Sequence, residues 1–226
     1  MNTIPIRPLL TLKLATLGAL AFVMLLLSGC HSVVVKGNGD IKTENRQIAG
    51  FTRVETDGAF QVNWTPGAPA FSITTDENLL EYIRARVSGD KLRIDWIKPL
   101  KGTRGIKVNI SSPALTRVEL NGAVRFAASG LTGTEFYLEA NGATKVALDG
   151  TVNAMQGEMN GASRLDANGF VTRAMDLSIS GAGRAEVNVS QVLKVDISGA
   201  GKVIYSGNPK TVDKNISGAG SIKPRK

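Results

Sequence analysis

One cation recurs at the same place in successive copies of a short repeat in the C-terminal half of the chain. It lies four residues after the start of an Asn-Gly-Ala or Ser-Gly-Ala tripeptide, at Arg125, Lys145, Arg164, Arg184 and Lys202. If the repeats stack in register, these side chains form an outward column with a charge about every 4.8 Å, the spacing of neighbouring strands. A column of this kind suits a linear anionic ligand, such as a phosphorylated glycan or lipopolysaccharide.

A second column, of acids, offers a less specific interpretation of the same cations. It lies two residues before the tripeptide, at Glu119, Glu139, Glu158 and Asp196. Charges on the two sides of one corner screen each other and keep a surface soluble without binding any ligand. Both interpretations remain open from the sequence.

A second candidate binding surface precedes the repeats. Its eight cations surround one tryptophan, at Arg84, Arg86, Lys91, Arg93, Trp96, Lys98, Lys101, Arg104 and Lys107. Basic residues around a tryptophan suit an anionic membrane surface or a sugar polymer, because indole rings favour interfaces and stack on sugars. The alternative is a solvated basic face, with Trp96 closing the end of the core.

The composition argues against most catalytic and metal sites. The 226 residues include one Cys and one His. A disulfide framework, a multi-thiolate metal site and a Ser-His-Asp triad therefore lack their residues. Carboxylates are scattered along the repeats, without a pair at the separation that glycosidic chemistry needs. We expect no cofactor, no metal and no enzymatic activity; the alternative is a polysaccharide lyase or hydrolase.

The first 29 residues have the features of a secretory signal. Arg7 and Lys13 precede an apolar run over residues 14–27, which is short for a membrane span and typical of a signal h-region. The run ends in Leu27-Ser28-Gly29-Cys30, which resembles the lipobox of bacterial lipoproteins. We therefore predict cleavage before Cys30, attachment of a diacylglycerol lipid to its thiol, and a linker over residues 30–36.

Removal of the signal changes what the net charge means. The formal charge is +8 for the whole chain and +6 for the 197 residues from Cys30 onward. Because an exported protein does not meet nucleic acid, this charge does not predict a nucleic-acid partner. His31 follows Cys30 in place of the Asp that marks inner-membrane retention. We therefore expect a lipid-anchored outer-membrane protein that faces the periplasm or the cell surface; its oligomeric state is left open.

The tripeptides are the clearest sign of internal repetition. Six copies recur every 18 to 20 residues, at residues 121–123, 141–143, 160–162, 180–182, 198–200 and 217–219. Apolar and polar residues alternate on both sides of each copy, which is the period of a β-strand. Stacking in identical register satisfies every inward position at once, so we predict an all-β, single-domain parallel β-solenoid with coils of about 19 residues.

The region before the repeats is less regular. Residues 76–87 carry Leu79, Leu80 and Ile83 at helical spacing, which predicts a short helix. Residues 91–97 and 106–110 alternate as strands. This part is expected to cap one end of the stack. The predicted solenoid domain covers residues 37–222, followed by a basic tail over residues 223–226.

Motifs spread over this whole region resemble the GIN domain family, described as head domains of auto-transporter adhesins. They comprise a glycine- and arginine-containing stretch that ends in Asp57-Gly58-Ala59-Phe60, then Asn78-Leu79-Leu80, then Leu92-Arg93-Ile94, then the tripeptide series. The resemblance implies a β-solenoid-like fold outside the cytoplasm and an adhesive role, and it supplies no catalytic residues. Together with Cys30, it favours a non-catalytic envelope module whose partners are the membrane, through the lipid, and an envelope glycan or protein.

Overall fold

The structure is a computed structural model that describes residues 34–225. The predicted signal sequence, Cys30 and His31 lie outside the described residues. The all-β prediction is confirmed. The strands before the repeats are β1 Val35–Lys36, β2 Ile41–Arg46, β3 Arg53–Gly58, β4 Gln61–Pro66, β5 Ala70–Asp76, β6 Ile83–Ser88, β7 Lys91–Trp96, β8 Leu100–Lys101 and β9 Lys107–Ser112. Those of the repeats are β10 Arg117–Gly122, β11 Arg125–Gly142, β12 Lys145–Gly161, β13 Arg164–Gly181, β14 Arg184–Gly199, β15 Lys202–Ser206, β16 Thr211–Ser217 and β17 Ser221–Pro224.

The predicted β-solenoid is confirmed as well, with about five turns. Each long strand from β11 to β14 pairs in parallel with the next and bends in its middle, where the register shifts by one or more residues. Residues before and after the bend alternate between buried and exposed, because successive strand side chains point to opposite faces. The buried side chains of all the coils form one hydrophobic core.

The bends divide the strands into two series, which we call sheet I and sheet II. Sheet I runs β2, β5, β9, β4, then residues 125–128, 145–148, 164–167 and 184–188, then β15 and β17. Sheet II runs β6, β7, β3, β10, then residues 135–142, 154–161, 174–181 and 192–199, then β16. Because neighbouring strands of each sheet are paired in register, outward side chains at equivalent positions form columns along the stack.

The first coils are stacked out of chain order. The β3–β4 coil pairs on one side with β10 and β11, and on its other side with β7 and β9, which follow it in sequence. Beyond them, β5 pairs antiparallel with β9, and β6 pairs antiparallel with β7, which ends the parallel stack. The cap expected at this end is therefore formed by antiparallel strands, after two coils that the repeat pattern did not reveal.

The short helix predicted over residues 76–87 forms only in part. A 3-10 helix covers Glu77–Tyr82 and buries Leu79 and Leu80, whereas Ile83–Ser88 is strand β6. The alternation of Ile83, Ala85 and Val87 fits an edge strand that packs one face on the core, and pairing with β7 satisfies its backbone. Tertiary pairing thus overrides the helical spacing.

Asp76 joins this helix to the N-terminal loop. Its buried carboxylate accepts hydrogen bonds from the Gly39 N–H at 2.8 Å, from the Thr103 N–H at 2.8 Å and from the Thr103 hydroxyl at 2.7 Å. Burial raises the pKa of Asp76, but these hydrogen bonds outweigh it and hold the pKa below its ordinary value. One carboxylate therefore fixes three separate chain segments.

The tripeptide glycines form the corners of the coils. Gly142 has a φ of 103°, and a Cβ placed on it would lie 2.6 Å from the carbonyl oxygen of Gly122. The same oxygen accepts a hydrogen bond from the Ala143 N–H at 3.0 Å. Beside this corner, the amide of Asn141 donates to Asn121 at 3.0 Å and that of Asn160 donates to Asn141 at 2.8 Å. Both the left-handed conformation and the close approach require glycine.

The C-terminal end of the stack carries features that discourage further pairing. Lys214 occupies the inward position that Leu177 and Val195 fill in the preceding coils, and its ammonium lies 5.2 Å from the centroid of the Tyr205 ring. Pro224 ends β17 and has no N–H to donate. Inward charges and prolines are the means by which natural sheets blunt their edges.

Candidate ligand-binding face

The predicted cation column is present on sheet I. Direct register pairs join Arg125 to Lys145, Lys145 to Arg164, Arg164 to Arg184 and Arg184 to Lys202, and all five side chains are exposed. The register extends the column beyond the repeats, through Gln61 on β4 to Lys107 on β9. The column thus crosses seven consecutive strands, at about 4.8 Å per strand.

Most of these cations make no ion pair within residues 34–225. Arg184 is different, because its guanidinium contacts Glu186 at 2.8 Å. Glu186 also accepts hydrogen bonds from Arg225 at 2.5 Å and from Asn168 at 3.2 Å. The Arg184 hydrogen bond, followed by that from Asn168, lowers the pKa of Glu186. The charge of Arg184 is therefore neutralised by a carboxylate on the same strand, β14.

The surface beside the cations is open. A groove of about 610 Å³ runs between Lys107, Arg125, Lys145 and Arg164 on one side and Ala127, Ala147 and Asp166 on the other. A second groove of about 620 Å³ shares Asn63, Ala127, Ala147 and Asp166 and reaches Thr65, Ser129, Asp149 and Asn168. The small side chains of Ala127 and Ala147 make the floor common to both grooves. Together the two grooves form what we call the basic face, with cations along one edge and hydroxyl, amide and carboxylate groups along the other.

The acidic column lies on sheet II and pairs with other cations. Arg117 contacts Glu119 at 2.5 Å and Glu139 at 3.7 Å, and Lys194 contacts Asp196 at 3.8 Å. Among the described residues, no ion pair joins this column to the cations of sheet I. The structure therefore gives no support to the interpretation in which the two columns screen each other by direct contact.

The basic segment before the repeats is divided between several environments. Arg84, Arg86 and Arg93 contact Asp95 at 2.5, 3.4 and 3.1 Å, and Lys91 contacts Glu55 at 2.5 Å. Burial raises the pKa of Asp95, but the hydrogen bonds from Arg84 and Arg93 outweigh it and lower the pKa overall. These four cations lie on sheet II, where carboxylates offset their charge.

The remaining members of the segment lie elsewhere. Trp96 is half-buried and packs on Phe60, with ring centroids 5.5 Å apart. Lys98 lies over the Tyr82 ring at 5.3 Å, and Lys101 is on the short strand β8. Arg104 is in the exposed loop before β9, whereas Lys107 belongs to the basic face. Trp96 thus packs at the end of the core, and Lys107 joins the other candidate surface.

Tyr137 is the most strongly shifted titratable group on sheet II. Burial, then the neighbouring carboxylates of Glu158 and Glu139, raise the pKa of this phenol to about 12, and its hydroxyl donates to Glu139 at 3.5 Å. The guanidinium of Arg117 covers the ring, with its central carbon 3.8 Å from the ring centroid. The ring face is therefore already occupied by a neighbour.

Sequence reasoning missed the polar members of the basic face outside the repeats. Gln61 and Asn63 follow Asp57-Gly58-Ala59 at the offsets that Arg125 and Ala127 have from their own tripeptide. Asp57-Gly58-Ala59 resembles the repeated tripeptides, so it could have identified β4 as a member of the repeat series. Lys107 and Asn109 carried no such signal, since β9 follows no tripeptide and joins the face only through pairing with β4.

Neither a membrane-spanning helix nor a metal-binding cluster is found within residues 34–225. No helix there is long and apolar enough to cross a membrane. The same part of the chain contains no group of three or more His, Cys, Asp or Glu side chains placed to hold a metal ion.

Comparison with known proteins finds solved structures that are similar to most of the chain. No curated protein matches the chain. A "putative adhesin" from Bacteroides fragilis is similar in structure, with a TM-score of 0.71 at 18% identity over 84% of this chain and 100% of that one. Another "putative adhesin", from Parabacteroides merdae, has a TM-score of 0.56 at 22% identity over 85% of this chain and 99% of that one.

A third solved structure carries a different description. It is a "putative lipid binding protein" from Parabacteroides distasonis, with a TM-score of 0.52 at 24% identity over 85% of this chain and 99% of that one. At these identities the three structures support the fold. The family is shown by sequence: the family described as "Putative auto-transporter adhesin, head GIN domain" matches residues 50–209. The chain belongs to the GIN domain family.

Proposed function

We propose that the protein is a non-catalytic, adhesin-like module of the cell envelope that binds an anionic glycan on the basic face. The observation that carries this proposal is the in-register cation column beside an open groove. The adhesin description of the family agrees with a binding role at the envelope.

The arrangement of the cations supports binding over a purely structural role. A stack that needed only solubility would be served by charges paired on its surface, as on sheet II. On sheet I, Arg125, Lys145 and Arg164 instead repeat a like charge at strand spacing without an ion-pair partner among the described residues. Their mutual repulsion is relieved when an anionic polymer lies across them.

Glu186, which borders the basic face, does not suit the role of proton donor in hydrolysis. Asp166 and Glu186 are register partners on neighbouring strands. Glu186 is held ionised by Arg184 and Arg225, which lower its pKa. A glycosidase needs one carboxyl that remains protonated to donate to the leaving group. We therefore favour binding without turnover.

The proposed location rests on the lipobox-like sequence. A diacylglycerol lipid on Cys30 tethers the domain to the outer membrane, with the glycan-binding face toward the periplasm or the cell surface. The measurement is fractionation of cells that express Cys30→Ala. The variant is expected in the soluble fraction, and its persistence in the membrane fraction would refute the anchor.

Binding is tested on the full-length chain in detergent, with an array of carboxylated, sulfated and phosphorylated glycans that includes lipopolysaccharide. The variant Arg125→Glu, Lys145→Glu, Arg164→Glu reverses the centre of the column. We expect it to lose retention on every glycan that the unmodified protein binds at physiological salt, with its thermal unfolding unchanged.

The matched control reverses three other exposed cations, Lys101→Glu, Arg173→Glu and Lys210→Glu. It changes the net charge by the same amount away from the column, and its retention is expected to stay near that of the unmodified protein. Equal losses in both variants would show nonspecific charge attraction, and no retention of the unmodified protein on any glycan would overturn the proposed function.

A further inference from the structure

The basic face is not uniform along the stack, and its usable cations differ from the predicted column. Lys107, Arg125, Lys145 and Arg164 line one groove, whereas Arg184 is paired with Glu186. Lys202 lies beyond this neutralised row, on β15. The cations open to a ligand thus extend from β9 to β13, four strand steps or about 19 Å.

The neutral part of the floor ends one strand before the open cations do. Asn109, Asn63, Ala127 and Ala147 follow one another in register, and the Asn63 amide donates to Asn109 at 3.0 Å. At the next two strands the floor positions are Asp166 and Glu186. A polymer that lies along the cations therefore meets small or neutral side chains at first, and carboxylates where the site ends.

The edge opposite the cations selects against a ligand that is charged on all sides. It presents Thr65, Ser129 and Asp149, with Asp166 beside them, and it ends at Asn168, whose amide is already hydrogen-bonded to Asp166, Glu186 and Arg225. Carboxylate and amide oxygens accept hydrogen bonds from hydroxyl groups, and hydroxyl side chains can both donate and accept. The carboxylates of Asp149 and Asp166 repel anionic groups that approach them. The ligand that fits has one anionic edge and one hydroxyl-bearing edge.

We propose that the ligand is a linear polyuronate, a polysaccharide with one carboxylate per sugar, that lies along the stack from β9 to β13. Its carboxylates contact Lys107, Arg125, Lys145 and Arg164, and its hydroxyl edge contacts Thr65, Ser129 and Asp149. This inference rests on the proposed function and names its ligand class. A polyphosphate or a heavily sulfated glycan carries charge on every side and meets repulsion from Asp149 and Asp166.

The first experiment measures binding of oligogalacturonates of increasing length to the full-length chain. Affinity is expected to rise with each added sugar until the oligomer covers the four strand steps, and then to level off. Lys107→Ala and Arg125→Ala are each expected to weaken binding about fivefold, the loss of one exposed charge contact. Arg184→Ala serves as the matched control and is expected to leave binding unchanged.

The second experiment compares oligogalacturonate with inorganic polyphosphate on the double variant Asp149→Asn, Asp166→Asn. The variant is expected to raise the affinity for polyphosphate relative to oligogalacturonate about fivefold or more, because it removes repulsion from the hydroxyl edge.

The outcomes separate this inference from the proposed function. If the unmodified protein prefers polyphosphate or sulfated glycan and loses that binding in the Arg125, Lys145, Arg164 reversal, the face binds anions but the polyuronate assignment is wrong. Weakening by Arg184→Ala with no effect of Lys107→Ala would overturn the position of the site. Absence of binding to every anionic polymer would overturn the proposed function itself.

Discussion

At the scale of single residues, the buried carboxylate of Asp76 has a structural role. Asp76 receives three hydrogen bonds from Gly39 and Thr103 while fully buried. Gly37 lies so close that a Cβ there would be 2.2 Å from the Asp76 carboxyl carbon. This carboxylate therefore continues the connection between the N-terminal segment and the loop that carries Thr103 beyond the short β1–β8 pairing.

Asp76→Asn is expected to lower the free energy of unfolding by about 1 to 3 kcal/mol, the range for hydrogen bonds to a charged group and for an unsatisfied donor. The replacement side chain has an NH2 group in place of one carboxylate oxygen. This group faces a donor of Thr103, so at least one hydrogen bond is lost. Chemical denaturation at neutral pH measures the change. Asp40→Asn is the matched control, because the Asp40 carboxylate is exposed and accepts only from the Asn38 amide at 3.3 Å. Equal stabilities of the two variants would contradict the role of Asp76.

The same group gives stability a defined dependence on pH. Because the pKa of Asp76 is lower in the folded state, its contribution is present above its unfolded pKa of about 4 and is lost as pH falls through the folded value. The unmodified protein is expected to lose more stability between pH 5 and the acid limit than Asp76→Asn does. Parallel acid titration curves would contradict this.

At the scale of elements, the corners of the coils depend on glycine for two separate reasons. Gly142 has a positive φ and approaches the carbonyl of Gly122, whereas Gly133 has a φ of 151° and open space where its Cβ would lie. A substitution at Gly133 therefore tests backbone strain alone, whereas a substitution at Gly142 tests backbone strain together with steric contact.

Gly142→Ala is expected to destabilise the protein by more than Gly133→Ala. The strained backbone costs about 1 to 3 kcal/mol at either position. At Gly142 the new methyl group also competes with the Ala143 N–H for the space around one carbonyl oxygen. Thermal unfolding of both variants measures the difference, and equal losses would show that contact at the corner is unimportant.

The repeated elements could be predicted from the sequence because each carries its own signal. The alternation around the tripeptides predicts the strands from β10 to β15, their register and the outward cations. The segment after Asp76 misled the prediction, because Leu79, Leu80 and Ile83 satisfy helical spacing while Ile83 belongs to a strand. Lys107 could not be assigned to the basic face, since its neighbour there, Gln61, lies 46 residues earlier.

At the scale of the whole molecule, the two ends of the stack are closed in different ways. Antiparallel strands cover the N-terminal end, whereas Lys214 and Pro224 interrupt the pattern at the other. An inward ammonium beside Tyr205 opposes the docking of another strand on this edge.

The double variant Lys214→Val, Pro224→Thr is expected to associate with itself through the exposed ends of β16 and β17. Lys214→Val restores an apolar side chain at an inward position of β16, and Pro224→Thr restores a backbone N–H donor on β17. Light scattering over a concentration series should show a higher mean mass than that of the unmodified protein. Lys210→Val makes the same charge change outside the strands and is the control; an equal increase there would point to general loss of solubility.

The stacking of β7 and β9 outside β3 and β4 also has a consequence for how the chain folds. The β3–β4 coil lacks one of its two neighbours until residues up to 128 are available, because one side is supplied by β7 and β9 and the other by β10 and the first residues of β11. Pairings of such long sequence separation are slow to form. We therefore expect this junction to form more slowly than the pairings between the later coils, whose register partners lie only about 20 residues apart.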